Sequence, residues 1–241
     1  MGAIYLIRHA QASFGSEDYD QLSELGSTQS RVLGESLLSR SPRTDRIVCG
    51  TMRRHEQTAE ACLQAMGLAA KWESDPGWNE YDPKEVMSAY DARYRDPAAM
   101  AAELAASDNP RRRFQEIFVQ AMDRWVSGEH DGEYAESWPA FRARVGHALA
   151  RLAASLAKSQ GALVFTSGGP IAAACAALLN LSAKDALRLN TRLANAAITK
   201  LLCSGQAIHL STINEHGHFE GGSGSSGPAG PSQGGALITY R

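Results

Sequence analysis

Three short apolar runs, Ile4-Tyr5-Leu6-Ile7, Arg46-Ile47-Val48-Cys49 and Ala162-Leu163-Val164-Phe165, recur between much longer stretches of helical patterning. Runs of this length, rich in β-branched and aromatic residues, read as strands, and the last reads as the most deeply buried. Strands that alternate with helices imply a mainly parallel central sheet with helices on both faces. The expected fold class is therefore α/β, a three-layer α/β/α sandwich. The 241 residues suffice for one sizeable core and form a routine length for a single α/β domain over 1–241.

Between the strands, amphipathic helices are expected over 23–39 and 53–66, the second stopped by Gly67, a natural C-terminal cap. A brief strand is expected near 70–73 and a loop over 75–83. Residues 84–130 read as mostly helical, interrupted at Pro97 and Asn109-Pro110, and are expected to form an inserted helical cap above the active edge of the sheet. A long helix is expected to start around Pro139 and reach Lys158, and another to begin at Pro170. Residues 221–235 (GGSGSSGPAGPSQGG) cannot bury a core and are expected to form a flexible Gly/Ser-rich loop, after which 236–241 regain strand character.

Composition narrows the function classes. A net charge of −2 gives no electrostatic footprint for nucleic acid or an anionic membrane, so neither is an expected partner. Small anions need only a local basic pocket. Cys49, Cys62, Cys175 and Cys203 are scattered without metal-ligand spacing and read as reduced core residues. The N-terminus begins in a strand rather than a basic-then-apolar leader, and no apolar run approaches the ~18 residues of a membrane span. A cytoplasmic location is the expectation.

Arg8-His9 follows directly on the first apolar run. Ligands of open α/β sheets gather at the carboxyl ends of strands. There an arginine offers a planar donor pair matched to two phosphate oxygens, and a neutral histidine is a nitrogen nucleophile near pH 7. Together the two can hold a phosphoryl group and attack it.

The stretch Leu6-Ile7-Arg8-His9-Ala10-Gln11-Ala12-Ser13 resembles the signature of the histidine phosphatase superfamily, also called the phosphoglycerate mutase-like family, with Ala10 in place of the usual glycine. Tyr19-Asp20-Gln21-Leu22-Ser23-Glu24-Leu25-Gly26 is similar to the segment that enters the family's first helix. Residues 50–59 (GTMRRHEQTA) resemble its second arginine motif, and Asn79-Glu80 its acid motif. The resemblance spans residues 4 to about 215, in the family's order and spacing. It implies a phosphoglycerate mutase-like fold in which His9 attacks phosphorus and becomes phosphohistidine, while Arg8 and Arg54 clamp the nonbridging oxygens. Arg53 adjoins Arg54, and spacing alone does not choose between them. Glu80 is the candidate general acid, because the leaving oxygen must be protonated and a carboxyl group beside bound phosphate has its pKa raised. Asp82 is its reserve. Gln11 and Ser13, in the loop after His9, are candidate hydrogen-bond partners of a substrate oxygen.

Thr166-Ser167-Gly168-Gly169-Pro170-Ile171 departs from the family pattern, because the family has a second histidine where Ser167 stands. Ser167 and Gly168 still run from a buried strand into a helix, a turn that points backbone N–H groups at an anion. Losing one oxyanion donor typically costs about 2.7–4 kcal/mol, and a hydroxyl partly replaces it. His216, His218 or His55 could substitute. The His216-x-His218 spacing also suggests metal, but it lacks a supporting cluster beyond Glu215 and Glu220, so neither metal nor another cofactor is expected. Arg111-Arg112-Arg113 reads as a solvated face or a screen for substrate charge, and Glu136-Ser137 as a helix cap.

The expected function is hydrolysis of a small phosphate monoester, weakened by Ser167. A phosphoglycerate mutase-type phosphotransferase would have to shield its phosphoenzyme from water, and a protein-phosphohistidine phosphatase would need a more open site. A noncatalytic phosphate-ligand binder of the same fold would have no use for His9 and Glu80. The expected partner is a small phosphorylated substrate, and a homodimer is compatible with all of these readings.

Overall fold

The computed structural model describes residues 1–13, 20–205, 207–220 and 237–240. Its six strands are β1 (Gly2–Arg8), β2 (Arg46–Cys49), β3 (Glu73–Ser74), β4 (Gly161–Thr166), β5 (Ile198–Ser204) and β6 (Ala207–Glu215), in spatial order β3-β2-β4-β1-β5-β6. The first four run parallel, while β5 and β6 are antiparallel to their neighbours. The central strands are buried on both faces, as their near-continuous apolar runs require. On β1, Ile4 and Leu6 point into one core and Tyr5 and Ile7 into the other, so each face carries its own helical layer.

One layer contains α1 (Glu24–Arg40) and α2 (Arg53–Ala65). Ser23 caps α1 by accepting from the Gly26 N–H at 3.0 Å, and Gly67 (φ +70°) closes α2. The start of α2 is unusual: Met52 offers no side-chain cap, and Asp20 reaches across to accept from the Arg53 N–H at 2.8 Å. The other face is covered through α6 (Trp138–Ser155) and α7 (Gly168–Leu179), joined by α3 (Pro83–Tyr90), α4 (Pro97–Ala105), α5 (Pro110–Ser127) and α8 (Ala183–Asn190). Pro97 and Pro110 are the first residues of α4 and α5. Proline tolerates that position because its missing N–H would have no helical partner there. Tyr81, Trp125, Trp138 and Phe141 form a ring cluster with centroids 4.8–5.8 Å apart. The cluster ties the loop after the 3₁₀ turn Pro76–Trp78 to α5 and α6.

Several boundaries differ from expectation. β3 lies later than residues 70–73, because pairing with Val48 and Cys49 selects Glu73 and Ser74. α6 ends at Ser155 rather than Lys158. α7 begins at Gly168, before Pro170, since the two glycines adopt helical geometry under tertiary contact. β5 and α8 went unanticipated, and residues 238–240 form no strand. Instead Gln29 Nε2 donates to the Leu237 carbonyl and to Thr239 Oγ1, both at 2.8 Å. The Gly/Ser-rich run 221–235 lies outside the described residues. No helix among the described residues is long and apolar enough to cross a membrane. The four cysteines are buried and free, and burial pushes the thiols of Cys62 and Cys175 up to about 12.

Candidate active site

At the C-terminal end of β1, the backbone itself sets His9. Its N–H donates to the Thr166 carbonyl at 2.8 Å, and its carbonyl accepts from Ala196 N and Asn195 Nδ2, both at 3.2 Å. The imidazole Nδ1 lies 2.7 Å from the Ala10 carbonyl, an oxygen that can only accept, so Nδ1 carries the proton and Nε2 is bare. His9 is held neutral, well below the ordinary histidine pKa. Burial is the main cause, followed by the positive charges of Arg54 and Arg8 and by His55. A neutral ring with an exposed lone pair on Nε2 is the form a nitrogen nucleophile requires.

Two buried guanidinium groups flank it. Arg8 donates through Nη1 to the Leu193 carbonyl. Arg54, in the first turn of α2, pairs through Nη1 with Asp20 at 2.7 Å and lies 3.5 Å through Nη2 from Ser167 Oγ. The structure thus separates the two neighbouring arginines: Arg54 is buried in the site and Arg53 is exposed. Positive charge is disfavoured at a helix N-terminus, so a buried arginine there requires negative partners.

Glu80 is buried opposite, at the start of α7. Its Oε2 accepts from the Gly169 N–H at 3.0 Å, and Oε1 from the Tyr81 N–H at 3.3 Å. A Cβ at position 169 would collide with this carboxylate, so only glycine permits the approach. One of the N–H groups expected to face phosphate therefore holds Glu80. Asp82 caps α3, its Oδ1 accepting from Lys84 N at 2.8 Å and Glu85 N at 3.4 Å.

Ser167 precedes α7 in the N-cap position, yet its hydroxyl makes no cap hydrogen bond. It faces His55 Nε2 at 2.6 Å instead. Among the three histidines considered as substitutes, His55 therefore reaches the site, its ring centroid 5.8 Å from that of His9. His216 pairs with Glu220 at 3.0 Å, and the His218 ring lies tilted against Phe219 with centroids 4.1 Å apart. Neither shows a ring contact or hydrogen bond to His9 among the described residues.

The remaining candidates divide. Gly168 is the first residue of α7, beside Arg8 Nε and the Asn190 side chain. Ser13 donates its N–H to the Gln21 carbonyl at 2.7 Å. Gln11 serves packing: its Oε1 accepts from Ser23 Oγ at 2.8 Å, and its N–H donates to Gln29 Oε1 at 2.8 Å. Arg112 and Arg113 pair with Glu116 and Glu103 on the surface. Glu136 is not a cap but a partner of Arg144 at 2.7 and 2.8 Å, while Ser137 makes the cap. Arg144 also donates to the carbonyls of Pro76, Gly77 and Asn79, bracing the loop that carries Glu80. Sequence reasoning missed Asn195 and Thr58, whose Oγ1 accepts from the Ala10 N–H at 3.1 Å. No local pattern marks either. A cleft of about 380 Å³ beside Glu80 is lined by residues that include Asp82, Glu85, Glu136 and Arg144. No cluster suited to a metal ion occurs among the described residues.

A mainly parallel α/β sheet with a histidine, two arginines and a carboxylate at its strand ends defines a phosphoryl-handling architecture. The model of the histidine phosphatase superfamily (branch 1) matches residues 4–128 and 107–216, and the chain belongs to that superfamily. No curated protein matches it. Among solved structures, the fold is similar to phosphoglycerate mutase from Bacillus anthracis (17% identity, 90% of this chain and 94% of that one, TM-score 0.62). It is also similar to a mycobacterial glucosyl-3-phosphoglycerate phosphatase with inorganic phosphate (25%, 90% and 98%, TM-score 0.60). A third match is a histidine-to-alanine mutant of phosphoserine phosphatase from Entamoeba histolytica in complex with phosphoserine (16%, 90% and 99%, TM-score 0.63).

Proposed function

We propose that this chain hydrolyses a small phosphate monoester through a phosphohistidine on His9. One observation carries the reading: His9 is neutral, with its proton committed to the Ala10 carbonyl, and it sits between two buried arginines. Simple anion binding has no use for a poised nucleophile.

In the first step the Nε2 lone pair of His9 forms a bond to phosphorus as the ester P–O bond breaks, and Glu80 gives its proton to the departing oxygen. In the second, Glu80 as carboxylate takes a proton from water, whose oxygen attacks phosphorus while the P–N bond breaks. Arg8 and Arg54 hold the nonbridging oxygens throughout, so their charge stabilises the transition state without reorganisation. Arg54 exchanges part of its pairing with Asp20 for the phosphoryl group. The helices of residues 84–130 act as a cover that favours small substrates. A phosphatase is preferred to a mutase because a mutase must also shield the phosphoenzyme from water and position a second acceptor. The cleft beside Glu80 is mostly acidic, and Arg144, the cation in its lining, is already paired with Glu136 and bonded to three backbone carbonyls.

Incubation with an aryl phosphate, followed by an alkaline quench that preserves the acid-labile P–N bond, tests the reading. Wild type is expected to yield a labelled protein and turnover, and His9→Ala neither. Turnover without a His9-dependent phosphoenzyme would remove the mechanism. Phosphate binding with no turnover of small esters would leave a noncatalytic binder.

A further inference from the structure

The hydroxyl of Ser167 is misplaced for the role its position suggests. A serine preceding a helix ordinarily accepts from an N–H of the first turn. Here that bond is missing, and the Gly169 N–H goes to Glu80. Ser167 Oγ is committed to two side chains of α2, His55 Nε2 at 2.6 Å and Arg54 Nη2 at 3.5 Å. Ser167 and His55 are both fully buried.

The hydrogen-bond arithmetic then favours one assignment. A hydroxyl has two acceptor lone pairs and one proton, and a guanidinium can only donate. His55 Nδ1 has no hydrogen-bond partner among the described residues. An unpartnered buried N–H is rarer than an unpartnered acceptor, so the proton belongs on Nε2, directed at Ser167. Arg54 and His55 then fill both lone pairs of Oγ. With both lone pairs occupied by donors, the hydroxyl proton is left free to donate to a third group.

Gly50 completes the arrangement. A Cβ there would strike His55 Nδ1 and crowd Asn79 Oδ1, so glycine at this point makes room for the ring.

We propose that His55 and Ser167 form a donor relay to the transferring phosphoryl group, in which the His55 Nε2–H donates to Ser167 Oγ and the Ser167 O–H donates to a nonbridging phosphoryl oxygen. The relay deepens the reading of His9 as nucleophile and rests on it for its rate effect. Ser167 is the group that touches the phosphoryl oxygen, and His55 is a positioning residue acting through it. This second imidazole therefore comes from α2 rather than from the position that follows β4. Burial and the charge of Arg54 hold the ring neutral in the empty site. An incoming phosphate dianion opposes that bias and strengthens the donation through Oγ.

A double-mutant cycle decides the matter in the full chain. His55→Phe fills the ring's space but cannot donate, and Ser167→Ala removes the hydroxyl. Turnover of an aryl phosphate and affinity for inorganic phosphate are measured for both variants and for the double variant. Each single change is expected to lower kcat on the order of 10²-fold with a smaller change in KM. The double variant should be no worse than either alone, because both remove one device. His55→Gln, whose amide N–H can donate to Ser167, should restore most of the rate. Wild-type kcat in His55→Phe, or losses that multiply in the double variant, would overturn the relay. Repeating the phosphate-binding cycle on a His9→Ala background separates the two ideas. Coupling that persists there upholds the relay even if wild type forms no phosphoenzyme, and additive losses there overturn it whatever His9 does.

Discussion

Helices α2 and α5 both open with arginines, Arg53-Arg54 in one and Arg111-Arg112-Arg113 in the other, and the two clusters live in opposite worlds. Arg54 is buried, paired with Asp20 on one side and Ser167 on the other. Arg112 and Arg113 are answered by Glu116 and Glu103 in an exposed ion-pair network. Both sets oppose the helix dipole, so both need carboxylates. The difference lies in what remains after pairing. At α5 the acids meet the charge in water, whereas at α2 the half-exposed Asp20 pairs with a guanidinium that is itself buried. Equal sequence patterns acquire different chemistry from the solvent around them.

The most damaging way to sharpen this contrast is Arg54→Ala, expected to cut turnover on the order of 10²–10³-fold while Arg113→Ala leaves it at the wild-type rate. Steady-state kinetics on the pair checks it, and equal losses would dissolve the distinction. Gly169→Ala should come next. The new Cβ displaces the Glu80 carboxylate, lowering kcat by about 10²-fold and stability by roughly 1–3 kcal/mol, read by kinetics and urea unfolding.

Acid offers a third handle on the buried side. His9, His55 and His218 all titrate below their ordinary value, the last at about 4, chiefly through burial. Above about pH 6.5 these rings are neutral whether the chain is folded or not, and stability is complete. Below it the unfolded chain takes up protons that the folded rings refuse. Each ring therefore removes up to about 1.4 kcal/mol per pH unit until its folded value is reached. The urea midpoint should fall between pH 7 and 5.5 at constant m-value. The smallest effect belongs to α5: Arg113→Ala should cost less than about 1 kcal/mol, shrinking further at high salt. A larger, salt-independent loss would mean that the outer network is not the solvated surface it resembles.

What could be read from the chain alone divides along the same lines. β1, β2, β4 and the arginine-histidine pair at the end of β1 are written in contiguous residues, so local pattern reveals them. Ser23, Gly67, Pro97 and Pro110 mark helix ends by their own backbone chemistry, again locally. β5 stayed hidden because Lys200 interrupts its apolar alternation and its order comes from pairing with β1. Asp82 and Gln11 stand out by proximity to motifs, and the sequence alone does not reveal that Asp82 also caps α3 and Gln11 also bonds to Ser23 at the start of α1. The His55–Ser167 contact joins residues 112 positions apart. No periodicity carries such a pair, and only the packing of α2 against the end of β4 brings it together.

Asn195 gives the nucleophile an unusual dependence on the far end of the chain. It donates to the His9 carbonyl from 186 positions downstream, its own N–H donates to the Thr239 carbonyl at 2.9 Å, and Thr239 Oγ1 donates to its Oδ1 at 3.0 Å. The His9 backbone precedes Asn195 and Thr239 in the chain, and it acquires this support only after residue 239 has emerged. A nascent chain stalled before Leu237 can build most of its sheet while this clasp behind the histidine stays open. Contacts of such long range tend to form late in folding, so a protein made in pieces, or cut between residues 220 and 237, would keep its parts and lose the covalent tether that brings the clasp to the histidine.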